Sequence, residues 1–224
     1  MNKKQTISTR KLVLAALLAA LTTVGSALRI TLPLEIAGTT SFHLGNILCA
    51  LSGILLGPWL GGLAAGLGSA IYDMMNPLYI SECWITFLTK GAYGVAAGLV
   101  AWNGKGKWNY GKATLSAAAG AVTYAALYLA KSYFYSGLLI KGLTPDAALL
   151  SVIGKLPATV FNAVIAIVIA PFLAVNIRAA LERNHVSLPA DTNKAEAPEA
   201  ASAPADISDA PADEAVSAKT DSIK

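Results

Sequence analysis

The sequence predicts an all-α integral membrane protein: a bundle of six transmembrane helices, both termini cytoplasmic, followed by a disordered acidic tail. Three observations carry that expectation. Of 224 residues, 55% are hydrophobic and only 13% charged, with a mean hydropathy of +0.56, whereas a soluble domain carries about a quarter charged residues. Ala, Leu and Gly dominate and period-two alternation is weak, which favours helices over a barrel. The net charge of +4 divides into +9 as far as Asn184 and −5 from His185 onward. The expected organisation is a basic N-terminus over 1–11, a membrane body over 12–184 and a tail over 185–224.

Crossing a bilayer takes roughly 17 to 25 mainly apolar residues. Six stretches qualify or come near: 12–30, 44–56, 59–75, 83–102, 113–139 and 151–177. The second and third are short and meet at Gly57 and Pro58, so 44–75 reads best as one buried hairpin of two full spans. Lys3, Lys4, Arg10 and Lys11 precede the first span; Lys105, Lys107 and Lys112 lie between the fourth and fifth; Arg178 and Arg183 follow the sixth. With six spans all three clusters share one side, the cytoplasm. The outer side receives 31–43, 75–82 and 140–150, where Lys141 is the single basic residue.

The basic start, apolar run and Gly25, Ser26, Ala27 imitate a secretory signal. The apolar stretch runs on to Ile30 and five spans follow, so an uncleaved first helix is expected. From Pro189 the chain is Ala, Pro, Ser and acids. Such a composition cannot bury enough surface to offset its ordering entropy, and the tail is expected to be disordered and dispensable. Cys49 and Cys83 read as small apolar thiols rather than a disulfide.

Catalytic chemistry is missing. Residues 106–113 have the spacing of a phosphate-binding loop, but Ala113 stands where Ser or Thr should hold magnesium, and the segment links two membrane helices. There is no HExxH, no GxSxG and no Cys/His metal cluster. An enzyme is disfavoured; no catalytic residue, metal or cofactor is expected, and nucleic acid is not an expected partner.

Ionisable residues within spans are costly in lipid and are functional candidates by default. Tyr124, Tyr128, Lys131 and Tyr135 follow at intervals of four, three and four in span five and share one helical face. Ser151, Lys155, Thr159 and Asn162 do the same in span six. Span four offers Glu82, Thr86, Lys90 and Tyr93; span three ends on Ser69, Tyr72 and Asp73; span two opens with His43 and Asn46. At 1.5 Å per residue, Lys131 lies roughly 27 Å from the inner start of span five, Lys155 about one turn inside the outer end of span six, and Lys90 about 10 Å deep.

These groups therefore converge on an outward-facing, half-buried cavity, with Asn162 and Tyr124 at its floor. Its aromatic faces and cations suit a planar heterocycle or a weakly acidic metabolite. The candidate substrate contacts are His43, Asn46, Asp73, Lys90, Tyr124, Tyr128, Lys131, Lys155, Thr159 and Asn162. Blander readings stand beside this one. Lys131 and Lys155 can snorkel to headgroups, Asp73 can neutralise a lysine, and Lys90 can pair with Asp73 or a carbonyl. Tyr79, Trp84, Tyr133 and Tyr135 can be interfacial anchors. Five cations nevertheless have no topological reason: Arg29, Lys90, Lys131, Lys141 and Lys155.

Small residues make a second pattern. Gly62 with Gly66 and Gly94 with Gly98 form close-packing faces, as do Ala15 with Ala19 and Ala16 with Ala20. The glycines are expected to pack within the bundle; the alanines can equally serve a partner protein.

At this point the chain resembles the substrate-binding S components of energy-coupling factor (ECF) vitamin transporters, over about 8–183. The likeness rests on six spans with both ends inside, the alanine pairs of span one, and a Thr/Ser-rich loop before span two. The run Phe42, His43, Leu44, Gly45, Asn46, then Leu55 to Pro58, Gly66 to Ala70 and Asp73, is similar to riboflavin-type and related S components. Phe87 to Gly91, Leu156 with Pro157, Asn162, and Ala170 with Pro171 continue it. The acidic tail lies outside the family pattern.

The resemblance implies a subunit of a prokaryotic cell membrane that captures a vitamin from outside. It then topples against a transmembrane coupling subunit driven by two ABC-type ATPases. It implies docking through Ala15, Ala16, Ala19 and Ala20, a gate over 31–43, and ligand contacts mainly from spans four to six. Candidate ligands are riboflavin, a hydroxymethylpyrimidine or pyridoxine-like ring, and pantothenate. Membrane lipid is the other partner. The competing functions are a non-transporting scaffold whose lysines hold anionic lipid, and a self-contained secondary carrier, which the lack of a clear inverted repeat disfavours.

Overall fold

The computed structural model describes residues 9–34, 38–103 and 108–184. The expected disorder of the tail, His185, Lys3 and Lys4 and the loop lysines Lys105 and Lys107 lie outside the described residues.

Helix α1 (Thr9–Ala27) gives way to two strands, β1 (Arg29–Leu34) and β2 (Gly38–His43), paired antiparallel with Arg29 opposite His43 and Leu34 opposite Gly38. This corrects the expected first span of 12–30 and the plain outer loop after it. Pro33 cannot continue a helix, and Ile30, Thr31, Thr39 and Thr40 are β-branched, so the segment suits extended backbone. At six residues per strand, the alternation is too brief to stand out against the helical signal.

Helix α2 (Gly45–Leu56) and helix α3 (Pro58–Met75) form the expected hairpin, broken at Gly57, whose φ of +84° suits glycine. Pro58 opens α3, where its missing N–H has no helical partner to lose. The expectation of two full spans fails for α2. Its 12 residues extend only about 18 Å. Eleven of those residues are buried, so neighbouring helices rather than lipid surround it.

A short 3₁₀ turn (Ile80–Glu82) leads into α4 (Cys83–Ala101), and α5 (Tyr110–Lys131) follows. Asn109 caps α5, its Oδ1 accepting from the Lys112 N–H at 2.8 Å. The described part of the phosphate-loop lookalike is thus a helix start. Beyond Lys131 the chain continues as a π-helix over Ser132–Ile140. Helix α6 (Pro145–Arg183) is capped by Thr144 and contains Pro157 and Pro171. Its 39 residues span about 58 Å, well beyond the expected 151–177 and beyond a bilayer core of about 30 Å.

Among the described residues, four helical stretches are long and apolar enough to cross a membrane: Thr9–Ala27, Ile80–Ala101, Tyr110–Ile140 and Pro145–Arg183. The packing is inverted relative to a water-soluble bundle. Small side chains such as Ala65, Ala97, Ala117 and Ala170 are fully buried, while Trp59 is 80% exposed, Val122 68% and Phe172 61%. So much exposed apolar surface calls for lipid as the solvent.

Glycines set the helix spacing. A Cβ on Gly53 would lie 2.3 Å from the Gly94 carbonyl oxygen, and one on Gly68 2.2 Å from that of Ala19. The backbones of α2 and α4, and of α1 and α3, are therefore in direct contact.

Candidate functional site

A cavity of about 290 Å³ opens at the hairpin end of the bundle. Nine of the ten sequence-derived candidates line it: His43, Asp73, Lys90, Tyr124 and Tyr128, together with Lys131, Lys155, Thr159 and Asn162. Asn46 lies behind the wall, buried, where its Oδ1 accepts a hydrogen bond from the Lys90 ammonium. Lys90 thus finds a side-chain amide rather than the Asp73 or carbonyl partner weighed from sequence. Its ammonium also sits 4.0 Å from the centroid of the Tyr124 ring, a favourable contact for a desolvated cation.

Tyr93, Tyr124 and Tyr128 form a stack, with centroids 5.8 Å and 5.6 Å apart. Tyr93 is fully buried against Gly120, behind the cavity, while the other two rings face it. Lys131 and Lys155 flank Tyr128 at 5.9 Å and 5.8 Å from its centroid. Neither snorkels to headgroups. Lys131 forms a salt bridge with Glu82, whose other oxygen accepts from Ser136 Oγ at 2.8 Å. Lys155 donates to Ser132 Oγ at 3.3 Å.

The π-helix moves Tyr135 off the shared helical face expected from the spacing. An α-helical period places Tyr135 on the face of Tyr124, Tyr128 and Lys131. With i→i+5 bonding the register advances by an extra residue, and Ser136 lines the cavity instead. Tyr135 packs edge-on against Trp84, centroids 5.7 Å apart.

Asn162 is not a bare floor residue. Its Nδ2 donates to the Ser41 carbonyl at 2.7 Å and its Oδ1 accepts from the His43 N–H at 3.1 Å. Both ends of the amide thus hold β2 onto α6. Arg29, paired across the hairpin with His43, donates from Nε to the Ser26 carbonyl at 2.8 Å. Its guanidinium lies 4.1 Å from the Tyr72 centroid and 4.8 Å from that of Tyr79. Tyr79 is therefore a cavity residue beneath an arginine rather than an interfacial anchor. Burial, then the nearby Lys90 and Arg29 charges, hold the His43 imidazole well below its usual range, so it is neutral at pH 7.

All five cations left unexplained by topology, Arg29, Lys90, Lys131, Lys141 and Lys155, line this one cavity, facing two acids, Asp73 and Glu82. Asp73 joins no salt bridge among the described residues; its hydrogen-bonding neighbour is Thr86. Ser26, Ser41 and Ser136 also line the cavity and were missed, since serine is common in any membrane helix. The described residues hold no cluster of His, Cys, Asp and Glu able to bind a metal. Cys49 and Cys83 are free.

The four alanines of α1 sort into two pairs. Ala15 and Ala19 pack against the core, whereas Ala16 and Ala20 are exposed beside Val13 and Leu17.

A family model for the S component of ECF-type riboflavin transporters matches residues 6–179. The chain belongs to this family. As an ECF S component it is the substrate-binding subunit of a vitamin transporter and not an enzyme. An uncharacterized protein in the gap 3′ region of Pyrococcus woesei is 33% identical over 118 residues, covering 53% of this S component and 74% of that protein.

Proposed function

We propose that this S component captures a B-type vitamin or vitamin precursor in the hairpin-covered cavity and hands it inward. The partners are an ECF transmembrane coupling subunit and two ABC-type ATPases. The observation that carries the reading is the cavity itself, about 290 Å³ and lined by stacked tyrosines and cations beneath a two-stranded cover. That volume suits a one- or two-ring ligand, and convergent polar groups in a preformed pocket fix its orientation.

The bundle has six membrane-embedded helices, of which α2 is a half-span inside the others, with both termini cytoplasmic and the hairpin outside. The excess of Lys and Arg at the opposite end of the helices supports that orientation. Ala16 and Ala20 form the docking stripe for the coupling subunit, since Ala15 and Ala19 are engaged inside. The described part of the phosphate-loop lookalike starts a helix, which supports assigning the driving force to the ATPases.

Thermal-shift titration of the purified protein against riboflavin, hydroxymethylpyrimidine, pyridoxine and pantothenate tests the capture role. Stabilisation by one of them is expected, and a flat response to these four and to nicotinate, pyridoxal 5′-phosphate and FMN refutes it.

A further inference from the structure

The cavity is electrically unbalanced. Five cations face two acids, and the imbalance is uneven across it. On the α3–α4 side, Arg29 and Lys90 face Asp73. On the α5–α6 side, Lys131, Lys141 and Lys155 face Glu82, whose carboxylate is already held by Lys131 and Ser136. Lys155 is only 7% exposed, its described hydrogen-bond partner is the neutral Ser132 hydroxyl, and the charged groups around it are Lys131, Lys141 and Glu82. Among the described residues it forms no salt bridge.

A buried ammonium beside two other cations is expensive, because the one nearby carboxylate, Glu82, is already held by Lys131 and Ser136 and offsets its desolvation only in part. Such an arrangement is useful when something else supplies the missing charge.

From this we propose that the ligand is an organic anion whose carboxylate or phosphate sits against Lys155, with its ring or chain lying on Tyr124 and Tyr128. The proposal rests on the capture role argued above and narrows its substrate class. A neutral flavin would leave the Lys155 charge unanswered. The tyrosine pair offers apolar faces next to the cationic end, so the ligand has one acidic end and one flat or aliphatic body. A carboxylate and a phosphate ester meet the same recognition, and the probes below separate them.

The experiment uses matched pairs differing in charge: nicotinate and nicotinamide, pantothenate and panthenol, pyridoxal 5′-phosphate and pyridoxal, FMN and riboflavin. Binding to the full chain in nanodiscs is measured by calorimetry. One acidic member should bind about 30-fold or more tightly than its neutral counterpart, the ratio expected when one partner of a buried charge pair is missing. Carboxylate pairs alone, or phosphate pairs alone, responding identifies the acidic group.

Lys155→Met should lose that preference and also raise the Tm of the ligand-free protein, because a buried and only partly compensated charge is replaced by an apolar chain of similar length. A residue that merely supports packing would lower the Tm. Lys155→Arg should keep a preference for the anion. If a neutral member binds as tightly as its acidic twin, or Lys155→Met leaves the ratio intact, the anion proposal is overturned while vitamin capture stands. If no member of any pair binds, both readings fall.

Discussion

Replacing Asn162 by alanine should loosen the hairpin without unfolding the bundle. The side chain makes two hydrogen bonds to β2, at 2.7 Å to the Ser41 carbonyl and 3.1 Å from the His43 N–H. Each contributes roughly 0.5–1.5 kcal/mol net, so their joint loss weakens the latch by about 2 kcal/mol. That corresponds to about a 30-fold shift in the closed-to-open ratio of the hairpin, since about 1.4 kcal/mol is tenfold. The helices retain their glycine seams, so the penalty is local. Hydrogen exchange followed by mass spectrometry reads it directly. Peptides covering β1 and β2 should exchange about an order of magnitude faster, while α2 and α3 stay protected. Asn162→Asp, which keeps the acceptor for His43 but loses the donor to Ser41, should fall between. Unchanged exchange in the hairpin of Asn162→Ala would refute the latch; faster exchange throughout α2 and α3 would mean that Asn162 supports the bundle instead.

Three further outcomes are expected. Ala16→Trp should leave ligand affinity unchanged and abolish uptake in cells, because it alters an exposed face remote from the cavity; a loss of binding in the purified protein would rule out a docking role. Gly53→Ala should destabilise by about 1–3 kcal/mol, the usual range for overpacking, since its Cβ would meet the Gly94 carbonyl at 2.3 Å; a Tm equal to that of the parent would contradict the close α2–α4 seam. His43 has a folded-state pKa well below its ordinary 6.5, so the unfolded chain binds the extra proton first. The stability that neutral His43 contributes is therefore complete above that value and declines as pH falls through and below it. Comparing Tm at pH 7.5 and 5.5 should show a drop that His43→Gln reduces; an equal drop in both would remove His43 as the cause.

Much of the site was legible because lipid makes charge conspicuous. Once the positive-inside pattern accounts for the inner clusters, Arg29, Lys90, Lys131, Lys141 and Lys155 remain, and all five meet at the cavity. Helical spacing likewise put Tyr124, Tyr128 and Lys131 together, as it did Lys155, Thr159 and Asn162. The same rule misplaced Tyr135, because a π-helix has no marker in a run such as Ser132–Ile140 and its register depends on packing against α6. The hairpin was hidden by its brevity and by the apolar residues that join it to α1. Asn46 belongs behind the wall rather than in it: no residue of α2 lines the cavity, and periodicity gives a residue's face but not its distance from the opening. The alanine pairs of α1 looked equivalent because they differ by one position. That one position is about 100° around the helix, enough to send Ala15 and Ala19 inward and leave Ala16 and Ala20 out.

The glycine seams have a mechanical consequence. Helices α1 to α4 touch backbone to backbone at Gly53, Gly61, Gly68, Gly94 and Gly98, so they move as one stiff plate. Helix α5 joins this plate at Gly120, where a Cβ would meet both the ring and the backbone carbonyl of Tyr93. The hairpin is tethered to the plate at both ends, through Leu28 after α1 and Leu44 before α2, yet its latch is on α6. It is a strap that runs from the plate to α6. On the capture role proposed above, a molecule entering beneath the strap lifts it from α6, so ligand entry and release of Asn162 become one motion rather than two.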